Sequence, residues 1–127
     1  MSEISGIFNT PTTELVLRAL DTGVLRHAVL AANIANASVE GYRPLRVSFE
    51  DQLAAAKSAL LSRNDDAARS AAVALEAQVV PDPANRSVEL DREFASMTDN
   101  SVRYQALLAA LGKNSSLLRL AIREGRN

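Results

Sequence analysis

Leu30-Ala31-Ala32-Asn33-Ile34-Ala35-Asn36-Ala37-Ser38-Val39-Glu40-Gly41-Tyr42-Arg43-Pro44 decides how the rest of the chain is read. It begins as a helix with an apolar face and runs into two asparagines. It breaks at Gly41, which takes a positive φ without steric penalty. It then leaves as an extended chain through Tyr42, because Pro44 pushes Arg43 out of the α region. Asn33 and Asn36 are three apart and share one helix face. Their amides can bond backbone in the turn or on a neighbour, or serve as ordinary C-terminal caps.

Upstream of this join the spacing predicts a helix over 13–37, preceded by an irregular segment over 1–12. Thr12 or Thr13 can cap it, and Glu14 suits its first turn. Apolar or packing residues recur at intervals of three and four along Leu17, Leu20, Val24, His27, Ala31 and Ile34, which is a helical seam. Leu25, Val29 and Ala32 form a second strip on nearly the opposite side, with Leu15 and Leu30 between the two. Gly23 weakens the helix by about 1 kcal/mol relative to Ala. A helix apolar on most of its circumference must be buried on most of it. Either other subunits cover it, or it is the central helix of a small monomeric bundle.

Downstream, 38–87 reads as a mostly surface connector. It has a possible short helix near 49–62, a breaker at Asn64-Asp65-Asp66 and an Ala-rich stretch over 67–78. Val79-Val80-Pro81-Asp82-Pro83 is extended, since two prolines prevent helix there. A second long helix is expected over 88–124, capped by Ser87, with Glu89, Asp91 and Glu93 at the positive end of its dipole and Lys113, Arg119 and Arg123 at the other. Its seam alternates intervals of four and three through Leu90, Phe94, Met97, Ser101, Tyr104, Leu108, Leu111, Ser115, Leu118 and Ile122, widened by Leu107, Leu117 and Leu120. The expected fold is all-α: two long terminal helices paired as an antiparallel, coiled-coil-like hairpin around an irregular or partly helical connector. That pairing brings Glu14 and Asp21 toward Lys113 and Arg119, which sets orientation more than stability. The second helix is the longer, so part of its apolar surface overhangs the first.

Composition narrows the function. Of 127 residues 47% are hydrophobic but only 4% aromatic, so Ala and Leu carry the apolar content, as close helix packing favours. A formal charge of −1 attracts neither nucleic acid nor anionic lipid over the whole surface. The absence of Cys excludes thiolate metal sites and a Cys nucleophile. His27 lies on a helix seam, where a structural role outweighs catalysis. No carboxylate or His cluster has metal-ligand spacing, no Gly-rich phosphate loop follows a strand, and Ser115-Ser116 has no activating base nearby. No cofactor, small-molecule substrate or enzymatic activity is expected. No basic, apolar signal peptide is visible at the N-terminus, and no apolar run approaches the roughly 20 residues that span a bilayer.

Two segments resemble the bacterial flagellar basal-body rod family. The first is Asn33-Ile34-Ala35-Asn36-Ala37 with Gly41-Tyr42, although Val39-Glu40 stands where that family commonly has Thr-Pro. Losing the fixed φ of that proline loosens the exit from the first helix and allows it to run further toward Gly41. The second is Val88-Glu89-Leu90-Asp91-Arg92-Glu93-Phe94, followed by Asn100-Ser101-Val102-Arg103-Tyr104-Gln105. It is similar to the last helix of the B-type proximal rod proteins. The resemblance implies a structural subunit exported by the flagellar type III apparatus without a cleavable signal. It implies polymerisation in the periplasm into a hollow rod that transmits torque and passes exported subunits. Implied partners are copies of itself, other rod proteins and the adaptor joining rod to membrane ring. The residues implied in assembly are Asn33, Ile34, Asn36, Gly41, Tyr42, Leu90, Asp91, Arg92, Phe94, Arg103, Tyr104, Gln105, Leu108 and Leu111. The competing class is a self-contained helical adaptor or secretion chaperone that buries both seams within a monomer or dimer.

Overall fold

The structure, a computed structural model, describes residues 10–84 and 86–125. Residues 1–9 of the irregular segment expected over 1–12 lie outside these residues. So do the side chains of the distal seam, Ser115, Leu118 and Ile122, and those of Leu117 and Leu120. The elements in chain order are α1 (Pro11–Ala35), β1 (Leu45–Ser48), α2 (Glu50–Leu61), α3 (Asp65–Val73), β2 (Gln78–Pro81) and α4 (Leu90–Glu124). The chain is therefore mostly helical, but the all-α expectation is corrected by a small antiparallel sheet.

Helix α1 starts two residues before the expected point. Thr10, rather than Thr12 or Thr13, is the cap, its hydroxyl accepting from the Thr13 N–H at 3.1 Å, and Pro11 opens the helix. Proline suits that position because its missing N–H would have no intrahelical partner there and its φ is already helical. The helix ends at Ala35. Asn36 caps it, its side chain donating to the Ala32 carbonyl at 2.8 Å. Loss of the Thr-Pro pair does not prolong the helix. Instead two successive turns, closed by Val39 N–H to Asn36 O and Tyr42 N–H to Val39 O, carry the chain to Gly41 at φ 78°.

The middle holds the short helix expected near 49–62, here α2, but it is more than a surface connector, because it adds a sheet and a core of its own. Leu45, Val47 and Phe49 alternate with Arg46 and Ser48, and this short period-two run makes β1. It pairs with β2 in the register Leu45 to Pro81 through Ser48 to Gln78. The breaker at Asn64-Asp65-Asp66 separates α2 from α3: Arg63 turns the chain at φ 60°, Asn64 caps α3 by accepting from the Ala67 N–H, and the two aspartates form its first turn. Phe49, Ala56, Ala72 and Leu75 join Leu15 of α1 in one buried cluster, with Leu53 and Leu60 packed against it. Gln52 of α2 fastens the end of this unit by accepting from the Glu76 N–H at 2.8 Å.

This unit sits on α1 through α3 and β1, and it decides which face of α1 is covered. The second strip is the buried one: Val29 is buried and Leu25 and Ala32 half-buried, beside buried Thr22 and Asn33. On the main seam Leu20 is buried and Ile34 half-buried, but Leu17, Val24, His27 and Ala31 are exposed. Thr22 is satisfied within the helix, its hydroxyl donating to the Arg18 carbonyl at 2.8 Å.

Helix α4 lies along α1. Gly23 is the point of closest approach: a Cβ built there would stand 3.0 Å from Cδ2 of Tyr104, and the Gly23 carbonyl accepts from the Asn100 amide at 2.9 Å. The glycine that weakens the isolated helix is what lets the tyrosine ring approach it so closely. Gly23→Val is expected to destabilise the fold by about 1–3 kcal/mol through overpacking. Denaturant unfolding checks this, and Gly112→Ala, where a Cβ meets nothing within 4 Å, provides the contrast.

Candidate assembly surface

Asn33 organises the join between helix and strand. Its side chain is almost fully buried, 1% exposed, and all of its hydrogen-bonding capacity is used. The amide nitrogen donates to the Leu45 carbonyl at 2.9 Å and to Glu93 Oε2 at 3.1 Å. The amide oxygen accepts from the Leu45 N–H at 3.0 Å and from the Tyr42 hydroxyl at 2.8 Å. One side chain thus joins the end of α1, the turn, the start of β1 and the first turn of α4. Asn33 and Tyr42, both singled out in the sequence, meet here. Glu93, which accepts from Asn33, stands at a helix start where its charge suits the dipole, and nothing in its local spacing marks it as a long-range partner.

The remaining motif residues are dispersed. Ile34 is half-buried, Asn36 is a cap as one of its two readings held, and Gly41 occupies the exposed turn. Asp91 and Gln105 are exposed. Arg92 pairs with Glu89 at 3.5 Å and Arg103 with Asp99 at 3.2 Å, both along the helix surface. Glu14 pairs with Arg18 at 3.0 Å, not with Lys113, because a partner one turn away on the same helix is nearer than one across a groove. The contacts that fix α4 on α1 are therefore Asn33 with Glu93 and Asn100 with Gly23, rather than surface ion pairs.

The seam of α4 is divided between two environments. The residues turned toward the rest of the chain are Glu93, Met97, Asn100, Tyr104, Leu107 and Leu111, half-buried at intervals of four and three. That face lies to one side of the predicted seam. Met97, Tyr104 and Leu111 belong to both. Leu90, Phe94, Ser101 and Leu108 are left exposed, with Phe94 53% and Leu108 45% accessible. The polar bonds of Asn100 and Glu93 pull α4 round by a fraction of a turn. Exposed Leu17 and Val24 on α1 add a second apolar stripe of the same kind.

Glu50 opens α2 and bonds the guanidinium of Arg26 on α1, while its second carboxylate oxygen accepts from the Phe49 N–H at 3.2 Å. Partial burial alone would raise its pKa. The main-chain N–H groups of Glu50 and Phe49 and the Arg26 charge outweigh that and hold it below the ordinary 4.5. A lowered carboxyl pKa contributes stability above the ordinary value, and the contribution is lost as pH falls through the folded value. Glu50→Gln is expected to lower the unfolding midpoint slightly near neutrality, with the gap to the parent closing as pH falls below 4.5. Because the carboxylate is largely exposed, the difference is no more than about 0.5 kcal/mol. Thermal midpoints of both chains across the acid range measure it.

Among the described residues no group of His, Asp and Glu is arranged to hold a metal ion, and no helix is long and apolar enough to cross a membrane. No protein-family model matches the chain. Among curated proteins it is similar to the flagellar basal body rod protein FlgB of Escherichia coli K12 and of Shigella flexneri. Each is 31% identical over 113 aligned residues, covering 73% of this chain and 79% of the relative. FlgB of Salmonella typhimurium is 31% identical over 114 aligned residues, covering 74% of this chain and 80% of the relative.

Proposed function

Because the chain belongs to the FlgB family of flagellar basal body rod proteins, we propose that it works as a polymerised subunit of the proximal rod. The family is structural rather than enzymatic. In this reading the residues over 13–37 and 88–124 act as one axial helical domain. They pair as an antiparallel, coiled-coil-like hairpin, a pairing supported by the contact order, Asn33 beside Glu93 and Gly23 beside Tyr104. Copies pack side by side into a hollow periplasmic shaft that transmits torque and passes exported subunits. The neighbours are copies of the chain, other rod proteins and the adaptor to the membrane ring, and delivery is by the flagellar type III apparatus without a cleavable signal.

The observation that carries this reading is the pair of apolar stripes left exposed on the long helices, Leu17 with Val24 and Leu90 with Phe94 and Leu108. Contiguous exposed apolar surface marks interaction sites. One chain carrying two different stripes makes heterologous contacts, which propagate into open helical polymers rather than closed dimers. Torque transmission requires a subunit gripped on several sides, and two stripes provide that where a single interface would hinge. Sedimentation across a concentration series, followed by electron microscopy, tests the proposal. Growth into rods with an axial channel is expected. A small species of fixed mass at all concentrations, as an adaptor or chaperone would give, would overturn it.

A further inference from the structure

Strand β1 has two edges, and only one is closed by β2. The Asp82 N–H bonds the Pro44 carbonyl at 2.9 Å, which in this register places the ladder bonds at Arg46–Val80 and Ser48–Gln78. The main-chain groups of Leu45 and Val47 therefore point to the other edge. At Leu45 both are taken by the Asn33 amide, which occupies the place of a strand's peptide group. Val47 is next along that edge. In that register its N–H and C=O take no part in the ladder with β2, although the residue is only 3% exposed. Buried main-chain groups call for a partner.

Val47 lines a cleft of about 490 Å³ between α1, β1 and α4. One water needs roughly 10–15 Å³, so the space suits something much larger. Its rim is charged: Arg26 pairs with Glu50 and Arg103 with Asp99, while no described carboxylate pairs with Arg46. The balance is one excess positive charge on the outward face of β1.

We infer that this cleft receives an extended, acidic segment of a second protein subunit, added as a third strand on the Val47 edge. The segment's residue opposite Val47 exchanges both main-chain bonds with it and turns an apolar side chain inward. The residues on either side turn outward, where a carboxylate meets Arg46. The edge is short and begins beside Asn33, so the register is fixed from one end. This docking uses none of the helix stripes and so stands apart from the polymer proposed above.

The test uses the full chain and a short, end-capped peptide of alternating glutamate and valine, carrying a fluorophore. Saturable anisotropy is expected, with hydrogen exchange at the Val47 amide slowed about tenfold or more at saturation. The same peptide with its valine nitrogens methylated is expected to give neither signal. Arg46→Glu should weaken peptide binding by about tenfold while leaving circular dichroism and self-assembly unchanged. Three results would overturn the inference: no saturable binding, equal binding of the methylated peptide, or binding that leaves Val47 exchange unaltered. Sedimentation of the same samples reports assembly separately, so either proposal can fail without the other.

Discussion

Phe94→Glu and Leu108→Glu, made together, are expected to abolish assembly while leaving the fold intact. Both side chains are about half accessible in the single chain, so each replacement removes little internal packing. Surface changes of this kind alter stability by no more than about 0.5 kcal/mol each. In the proposed polymer the same positions would lie at the centre of a helix–helix contact. Buried apolar anchors there are worth about 2 kcal/mol or more apiece, and each introduced carboxylate must also be desolvated. The effect multiplies, because every subunit carries the change at every interface. Sedimentation is expected to show monomer at concentrations where the parent chain is expected to form rods, with unchanged circular dichroism and unfolding midpoint. Ala109→Glu serves as control. It is exposed and adds the same charge, one position round the helix from Leu108, so assembly should largely survive. Unimpaired rods from the double variant would show that the stripe is not the contact.

The stripe shows what a heptad pattern discloses and what it leaves open. The alternation from Leu90 to Leu111 correctly marked a long helix with one apolar side. It could not say which flank meets the chain's own partner, since Glu93 and Asn100, both polar, are what turn α4 toward α1. On α1 the same ambiguity went the other way, and the strip through Val29 was buried in place of Val24. In the middle the helix near 49–62 and the extended run at Val79-Val80 are legible, but their packing into a core is not, for a different reason. Beside Phe49 and Leu75 that core uses Ala56 and Ala72, and Ala68 is buried as well. Alanine is too common on exposed helix faces to register as a stripe, yet it packs as tightly as any residue when helices approach closely. Strand β1 is only four residues long, and its alternation was too brief to stand out beside a helical neighbour. The join at Asn33 to Pro44 was legible because glycine, proline and asparagine act through local backbone geometry, which sequence records directly. What Asn33 bonds sixty residues away, at Glu93, is a tertiary fact with no local trace.

That distant bond makes Asn33 the most sensitive single position in the fold. Asn33→Leu keeps the volume and removes every polar contact. It strands the N–H and C=O of Leu45 inside the protein, together with the Tyr42 hydroxyl and one Glu93 oxygen. A buried polar group left unmatched costs about 1–3 kcal/mol. Tyr42 and Glu93 are only half-buried and recover part of the loss by turning to water, so the expected destabilisation is about 3 kcal/mol. Against a total of roughly 5–15 kcal/mol for a domain, that moves the denaturant midpoint far outside error. Asn33→Asp separates the donor contribution from the acceptor one. It keeps acceptors for Tyr42 and the Leu45 N–H, loses both donors, and places a carboxyl where the amide lay 3.1 Å from Glu93. Burial and the neighbouring carboxylate both raise the pKa of the introduced group in the folded state. Its deficit is therefore fully present above that raised value and shrinks as pH falls toward the unfolded one. The Leu variant has no such group, so its deficit relative to the parent should not shrink over the same interval. Unfolding midpoints of the three chains between neutral and acid pH measure both effects. Parallel pH curves for the two variants would mean that the Asn33 site admits water, and that the join is held by something other than its saturated amide.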